Sequence, residues 1–246
     1  MYMSDKKILA IMYDFYNQHI LRDQNQDIDY YIKQIKKYEA EKVLVVGAGT
    51  GRVAIPLSNY AKITALDFDE ERLKLLELKS CDINIVCCDF LNYNTSEKYD
   101  LIIIPYSTIQ FSGDKNKIDK MFSKLHQIMT DKTICIFDVS ESFNDKEEKS
   151  NEFLFNDFCK EIEENIDVFY SSKRHDNCIE FFIEYKLVDK NYSVIENECY
   201  YYYDKKLLAD LLSNNRLLIS KIDNGYGNNT FQHKHLYHCR SNNERI

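Results

Sequence analysis

The chain has 246 residues, 44% of them apolar, and carries 40 Asp and Glu against 32 Lys and Arg, a formal charge of −8. That length fits one large domain with a sizeable core. The acidic balance and the lack of a Lys/Arg stripe argue against a nucleic-acid partner. The uncharged run from Leu101 to Gly113 is too short for a bilayer, which needs about 20 residues. The opening "MYMSDKKILA" lacks the long apolar core of a secretory signal, and the eight cysteines form no C-x-x-C pair. A reducing, cytoplasmic setting is the expectation.

Two segments with helical periodicity come first, roughly Asp5 to Leu21, with Ile8, Met12, Phe15 and Tyr16, and then Asp27 to Tyr38. From Lys42 the pattern alternates. The runs "KVLVVG", "KITALD", "INIVCC", "YDLIIIP" and "KTICIFDV" have strand length, and Cys87 and Cys88 read as small core residues within the third. Helical stretches fall at Arg52–Tyr60, Asp69–Lys79 and Lys115–Met129, with a less regular loop from Asp89 to Lys98. Unbroken apolar strands separated by helices predict a doubly wound, mostly parallel α/β sheet buried on both faces. In such sheets ligands bind beyond the carboxyl ends of the strands.

After Val139 the pattern changes to a helix from about Asn144 to Glu164 and three strands, Asp167–His175, Cys178–Asp189 and Ser193–Tyr203. Short polar breaks between the strands predict antiparallel hairpins, an inserted β cap. Its last run contains Tyr200 to Tyr203, two rings per face, with one pair open to an acceptor pocket or a homodimer contact. A final helix, Lys205–Asn214, leads to the strands "RLLISKI" and "FQHKHLYHC". The latter alternates as an exposed strand rather than as a zinc site of His233, His235, His238 and Cys239.

Three of the six glycines, Gly47, Gly49 and Gly51, stand together where the first strand meets a helix. Such a turn lets a ligand lie against backbone N–H groups. Asp67, at the end of the second strand, is placed to accept ribose hydroxyls. Asp89 and Phe90, at the end of the third, offer an acceptor beside an aromatic face for adenine. Arg52 stands where a dinucleotide fingerprint would have its third glycine, which argues against NAD.

"VLVVGAGTGRVAIPL", "ITALDFDEERL", "CCDFLNY" and "YDLIIIPYSTIQF", in this order, resemble the class I S-adenosylmethionine-dependent methyltransferases, with a likeness to bacterial small-molecule enzymes. The resemblance implies one domain over residues 1–246: lid helices 1–40, cofactor-binding core 41–140, antiparallel cap 165–204, and final helix and β-hairpin 205–246. The core sheet would be seven-stranded and Rossmann-like. S-adenosyl-L-methionine would be the cofactor, held by Gly47, Gly49, Gly51, Asp67, Phe68, Asp89, Phe90 and Pro105. Tyr13 and His19 from the lid helix, with Tyr106 after the fourth strand, are the candidates to orient or deprotonate a small-molecule or peptide-derived acceptor for N- or O-methylation. One departure stands out: the family's usual acidic residue two positions before the first glycine is Val45 here. A binding subunit without catalysis and a nucleic-acid methyltransferase are the competing readings.

Overall fold

The computed structural model describes residues 3–21, 25–140, 148–227 and 234–242. In chain order the elements are α1 (Asp5–Leu21), α2 (Gln26–Lys37), β1 (Lys42–Val46), α3 (Ala54–Leu57), β2 (Lys62–Asp67), α4 (Glu70–Lys79), β3 (Asn84–Cys87), β4 (Leu101–Ile104), α5 (Thr108–Phe111), α6 (Lys115–Ile128) and β5 (Ile134–Ser140). There follow β6 (Lys149–Cys159), β7 (Glu164–Arg174), β8 (Cys178–Leu187), β9 (Tyr192–Tyr201), α7 (Lys205–Asn214), β10 (Leu217–Asn224) and β11 (Lys234–Ser241). They divide into two compact units: α1 with β6 to β9, and everything else.

The larger unit is built on a seven-stranded sheet of order β10-β11-β5-β4-β1-β2-β3. Strands β1 to β5 run parallel, and β11 is antiparallel to both β5 and β10. Val45 pairs with Ala65 on one side and Ile103 on the other, and all three are fully buried. Burying β-branched side chains on both faces stabilises each by roughly 1.5–3 kcal/mol, and fixes β1 as the central strand. Strand order reverses between β1 and β4, which opens a crevice at their carboxyl ends. Helix starts are set by aspartates. Asp69 accepts the Glu71 and Arg72 amides to cap α4, Asp114 caps α6 through Asn116 and Lys117, and Asp204 caps α7 through Leu207.

The smaller unit is a four-stranded antiparallel sheet of order β6-β7-β8-β9. Helix α1 lays Phe15 against Phe155 and Tyr16 edge-on to Tyr185, and Asp5 accepts a 2.6 Å hydrogen bond from the Tyr192 hydroxyl. At the sheet end, buried Glu164 pairs with Lys190 at 2.8 Å and also accepts its backbone N–H.

Three sequence expectations are corrected here. The helix expected over Asn144–Glu164 is strand β6 across Lys149–Cys159, paired to β7 with two register shifts. Its charged residues favour a helix in isolation, but β7 supplies a hydrogen-bonding ladder that outweighs that local preference. Cys87 and Cys88 are not core residues: β3 is an edge strand, and Cys87 is exposed while Cys88 is half-buried. Strand β11 is interior rather than exposed, with Lys234 to Cys239 all buried. His238 there is enclosed by the Tyr30 hydroxyl at 2.6 Å, the Asp223 carboxylate at 3.1 Å and the Tyr38 hydroxyl at 3.2 Å. Among the described residues no cluster of three metal-ligating side chains occurs, and His233 lies outside them.

Candidate functional site

A cleft of about 360 Å³ opens at the carboxyl ends of β1, β2 and β3, within the larger unit. Of the glycine turn, Gly47 lines the cleft, while Gly49 and Gly51 do not. Gly47, Gly49 and Gly51 all have positive φ, at 73°, 53° and 94°. At Gly47 a Cβ would also stand 2.6 Å from the Thr108 methyl, so that position excludes side chains on two counts. The turn is closed by Gly47 and Ala48 donating to the Leu66 carbonyl at 2.9 and 3.1 Å.

Asp67 joins this turn to the next strand. It is 7% exposed, and Oδ2 accepts the Gly49 N–H at 2.7 Å while Oδ1 accepts the Asp69 N–H at 3.0 Å. Since Asp69 caps α4, Asp67 is not consumed as a helix cap. Each carboxylate oxygen has two lone pairs, so both keep acceptor capacity toward the cleft that Asp67 lines. Beside it Phe68 is 78% exposed, an apolar ring held at the cleft wall against the hydrophobic gradient. Across the cleft Asp89 is exposed and accepts the Leu91 N–H at 2.9 Å, fixing a short 3₁₀ turn that buries Phe90.

The fourth wall comes from the segment after β4. Pro105 is buried and does not line the cleft; its carbonyl accepts the Thr108 N–H at 3.1 Å and hydroxyl at 2.5 Å. Tyr106 and Ser107 both lie in the left-handed region, at φ 57° and 58°, which is costly for non-glycine residues. Asp138, fully buried on β5, holds this turn by accepting the Ser107 N–H at 2.9 Å and its hydroxyl at 3.1 Å. Lys234 neutralises Asp138 at 2.6 Å. Two cations lie over the Tyr106 ring, the Arg52 guanidinium carbon at 5.2 Å and the Lys234 ammonium at 5.1 Å from its centroid.

Thr108, Ser112, Lys117 and Met121 also line the cleft and were not singled out from sequence. Asp138 and Lys234 were missed as well. An aspartate inside the apolar run "ICIFDV" is a charge where none is tolerated unpaired, and that signal was available. Tyr13 and His19 belong to α1, in the other unit. There His19 stacks on Phe155 at 4.2 Å, its Nδ1 donates to the Phe15 carbonyl at 2.7 Å, and its Nε2 meets Asp157 at 2.8 Å.

Residues 43–132 match a family model described as a methyltransferase domain. A protein of Geobacillus sp. (strain WCH70), named provisionally as a methyltransferase, is 23% identical over 118 residues, which are 46% of this chain. The aligned stretch spans about half of that curated relative, 47% of its length. Among solved structures, an S-adenosylmethionine-dependent methyltransferase from Clostridium acetobutylicum superposes with a TM-score of 0.77 at 18% identity, over 94% of this chain and 98% of that one. The sugar N-methyltransferase KedS8 from Streptoalloteichus sp. gives 0.75 at 10% identity, over 92% and 91%. No helix among the described residues is long and apolar enough to cross a membrane. The chain therefore has the class I methyltransferase fold, and its residues 43–132 match the methyltransferase-domain model.

Proposed function

We propose that the protein transfers a methyl group from S-adenosyl-L-methionine to a small-molecule acceptor, with a nitrogen acceptor preferred over oxygen. The observation that carries this reading is the cleft at three consecutive strand ends, where a glycine turn, a buried aspartate and an exposed ring converge. Its volume lies in the range of small-ligand sites. The donor set fits an adenosyl group. Asp67 offers carboxylate lone pairs for a ribose diol, Phe68 an apolar face for a purine, and Asp89 an acceptor for an exocyclic amine. Gly47 allows the ligand to approach the backbone itself.

S-adenosylmethionine brings an electrophilic methyl on a sulfonium, so the chemistry of the leaving group is already supplied. What remains for this chain is to position the acceptor, exclude water and let an amine shed its proton. Tyr106, whose turn is held by the Asp138–Ser107 hydrogen bonds and which does not itself line the cleft, is kept as the candidate of the larger unit for the reacting end. Tyr13, from α1, is retained as an acceptor-orienting candidate. His19 is not favoured as a base, because the Phe15 carbonyl fixes a proton on Nδ1 and Asp157 occupies the other nitrogen.

The nitrogen preference draws support from the sugar N-methyltransferase among the structural neighbours. Calorimetry of the purified protein with S-adenosylhomocysteine and with NAD tests the cofactor half. Binding of the first and not the second is expected, and binding of NAD alone would overturn the reading. Transfer of labelled methyl to a panel of amines and amino sugars, against matched alcohols, tests the acceptor half.

A further inference from the structure

Val45, which stands where the family's methionyl-binding acid would, is completely buried in the central strand and offers a ligand no charge. A different charged pair sits at the end of the glycine turn. Arg52, one residue past Gly51, donates through both terminal nitrogens to Asp27 of α2, at 3.1 and 2.5 Å. Asp27 has a side-chain exposure of 6%, whereas Arg52 keeps 22%. The carboxylate is thus sealed behind its partner, and the guanidinium is the end that solvent and ligands reach.

The location is specific. Arg52 comes from the turn after β1 and lies over Tyr106, which comes from the turn after β4. These are the two strands between which the sheet order reverses. On the adenosyl reading, a ligand with its purine by Asp89 and its ribose by Asp67 would extend past Gly47, beyond the cleft's own lining, which contains neither Arg52 nor Tyr106. The ring of Tyr106 supports one face of the guanidinium, and Asp27 holds the fork by two parallel bonds. An arginine so fixed has lost most of its rotamer freedom before any ligand arrives, which lowers the cost of recognising a planar anion.

Building on the adenosyl reading above, we infer that Arg52 binds the carboxylate of the methionyl moiety, with Asp27 as the residue that positions it. The amino-acid end of the cofactor is then recognised through its carboxylate rather than through an acid at the end of β1.

A ligand series separates this role from a purely structural one. S-adenosylhomocysteine carries the amino-acid group, and 5′-methylthioadenosine keeps the adenosine and lacks it. By calorimetry, Arg52→Gln should weaken S-adenosylhomocysteine about 10- to 100-fold while changing 5′-methylthioadenosine less than about twofold. Arg52→Lys, with the charge but no fork, should fall between, and Asp27→Asn should weaken the first ligand selectively. A folded Arg52→Gln protein that weakens both ligands by the same factor, or neither, overturns the assignment. Should the variants fail to fold, the wild-type protein still decides: decarboxylated S-adenosylmethionine should bind at least about tenfold more weakly than S-adenosylmethionine, and equal affinity overturns the assignment. A wild type that binds none of these adenosyl ligands overturns the cofactor reading, and this assignment with it.

Discussion

Asp67 serves two purposes in this structure, and replacing it should separate them. Its carboxylate accepts the Gly49 N–H at 2.7 Å and the Asp69 N–H at 3.0 Å from a position 7% exposed. Asp67→Ala leaves both amides without an acceptor. Each costs about 1–3 kcal/mol when buried, so the loss is roughly 2–6 kcal/mol. Water from the cleft can reach this site and replace part of the loss, which favours the lower half of that range. For a chain of this size each kcal/mol lowers Tm by roughly 2–4 °C, so a drop of about 4–16 °C is expected.

Asp67→Asn keeps one acceptor oxygen and turns an NH₂ toward the second amide. It should lose about 1–3 kcal/mol, one such bond. Ligand affinity follows a separate scale. A carboxylate accepting a ribose hydroxyl contributes roughly 1.5–3 kcal/mol, so Asp67→Ala should bind S-adenosylhomocysteine about 10- to 100-fold more weakly, with Asn intermediate. Scanning calorimetry gives Tm, and titration calorimetry well below each transition gives the affinity. A folded Asp67→Ala protein with lowered Tm and wild-type affinity would leave Asp67 as a brace of the glycine turn and remove it from ligand binding. Wild-type Tm with lowered affinity would refute the hydrogen-bond reasoning instead.

Gly47→Ala forces a left-handed alanine, at about 1–2 kcal/mol, and drives a Cβ into Thr108. Its Tm and ligand affinity should both fall, whereas Gly227→Ala, also at positive φ but with open space around it, should lower Tm alone. Asp138→Asn leaves Lys234 as an uncompensated buried cation and should cost about 3–5 kcal/mol in urea titrations. Adding Lys234→Met should recover most of that, and a single variant within about 1 kcal/mol of wild type would show that the pair is not needed. Burial lowers the His238 pKa from 6.5, outweighing the opposing charge of Asp223. The unfolded chain therefore binds a proton there before the folded one does. Its contribution to stability is complete above pH 6.5 and is lost as pH falls toward the lower folded value. Urea titrations from pH 8 to 5 should show that slope, and His238→Asn should flatten it; an unchanged slope assigns the dependence elsewhere.

The parallel half of the fold was legible because its signals are local. Five apolar runs of strand length alternate with helices, and a strand buried on both faces has no other reading than a covered sheet. The glycine turn was legible for the same reason: positive φ at Gly47, Gly49 and Gly51 is a demand on each residue alone. Asp67, Asp89 and Phe90 could be placed around one cleft because strand ends in a parallel sheet fall on one edge.

What depended on distant partners was not legible. Lys149–Cys159 has a helix-like charge pattern, and only the ladder offered by β7 makes it a strand. Cys87 and Cys88 look like core residues until β3 is known to be the sheet edge, and the polar strand Lys234–Ser241 looks exposed until β5 and β10 flank it. The same holds for the ion pairs. Asp138 stands out inside its apolar run, but neither it nor Asp27 names its partner in the sequence, and only the fold brings Lys234 and Arg52 to them. By itself the sequence determined which backbone conformations and strand edges form the cleft. The tertiary structure decided which charges are buried and beside which partner, because a charge becomes costly or useful only once water has been excluded around it.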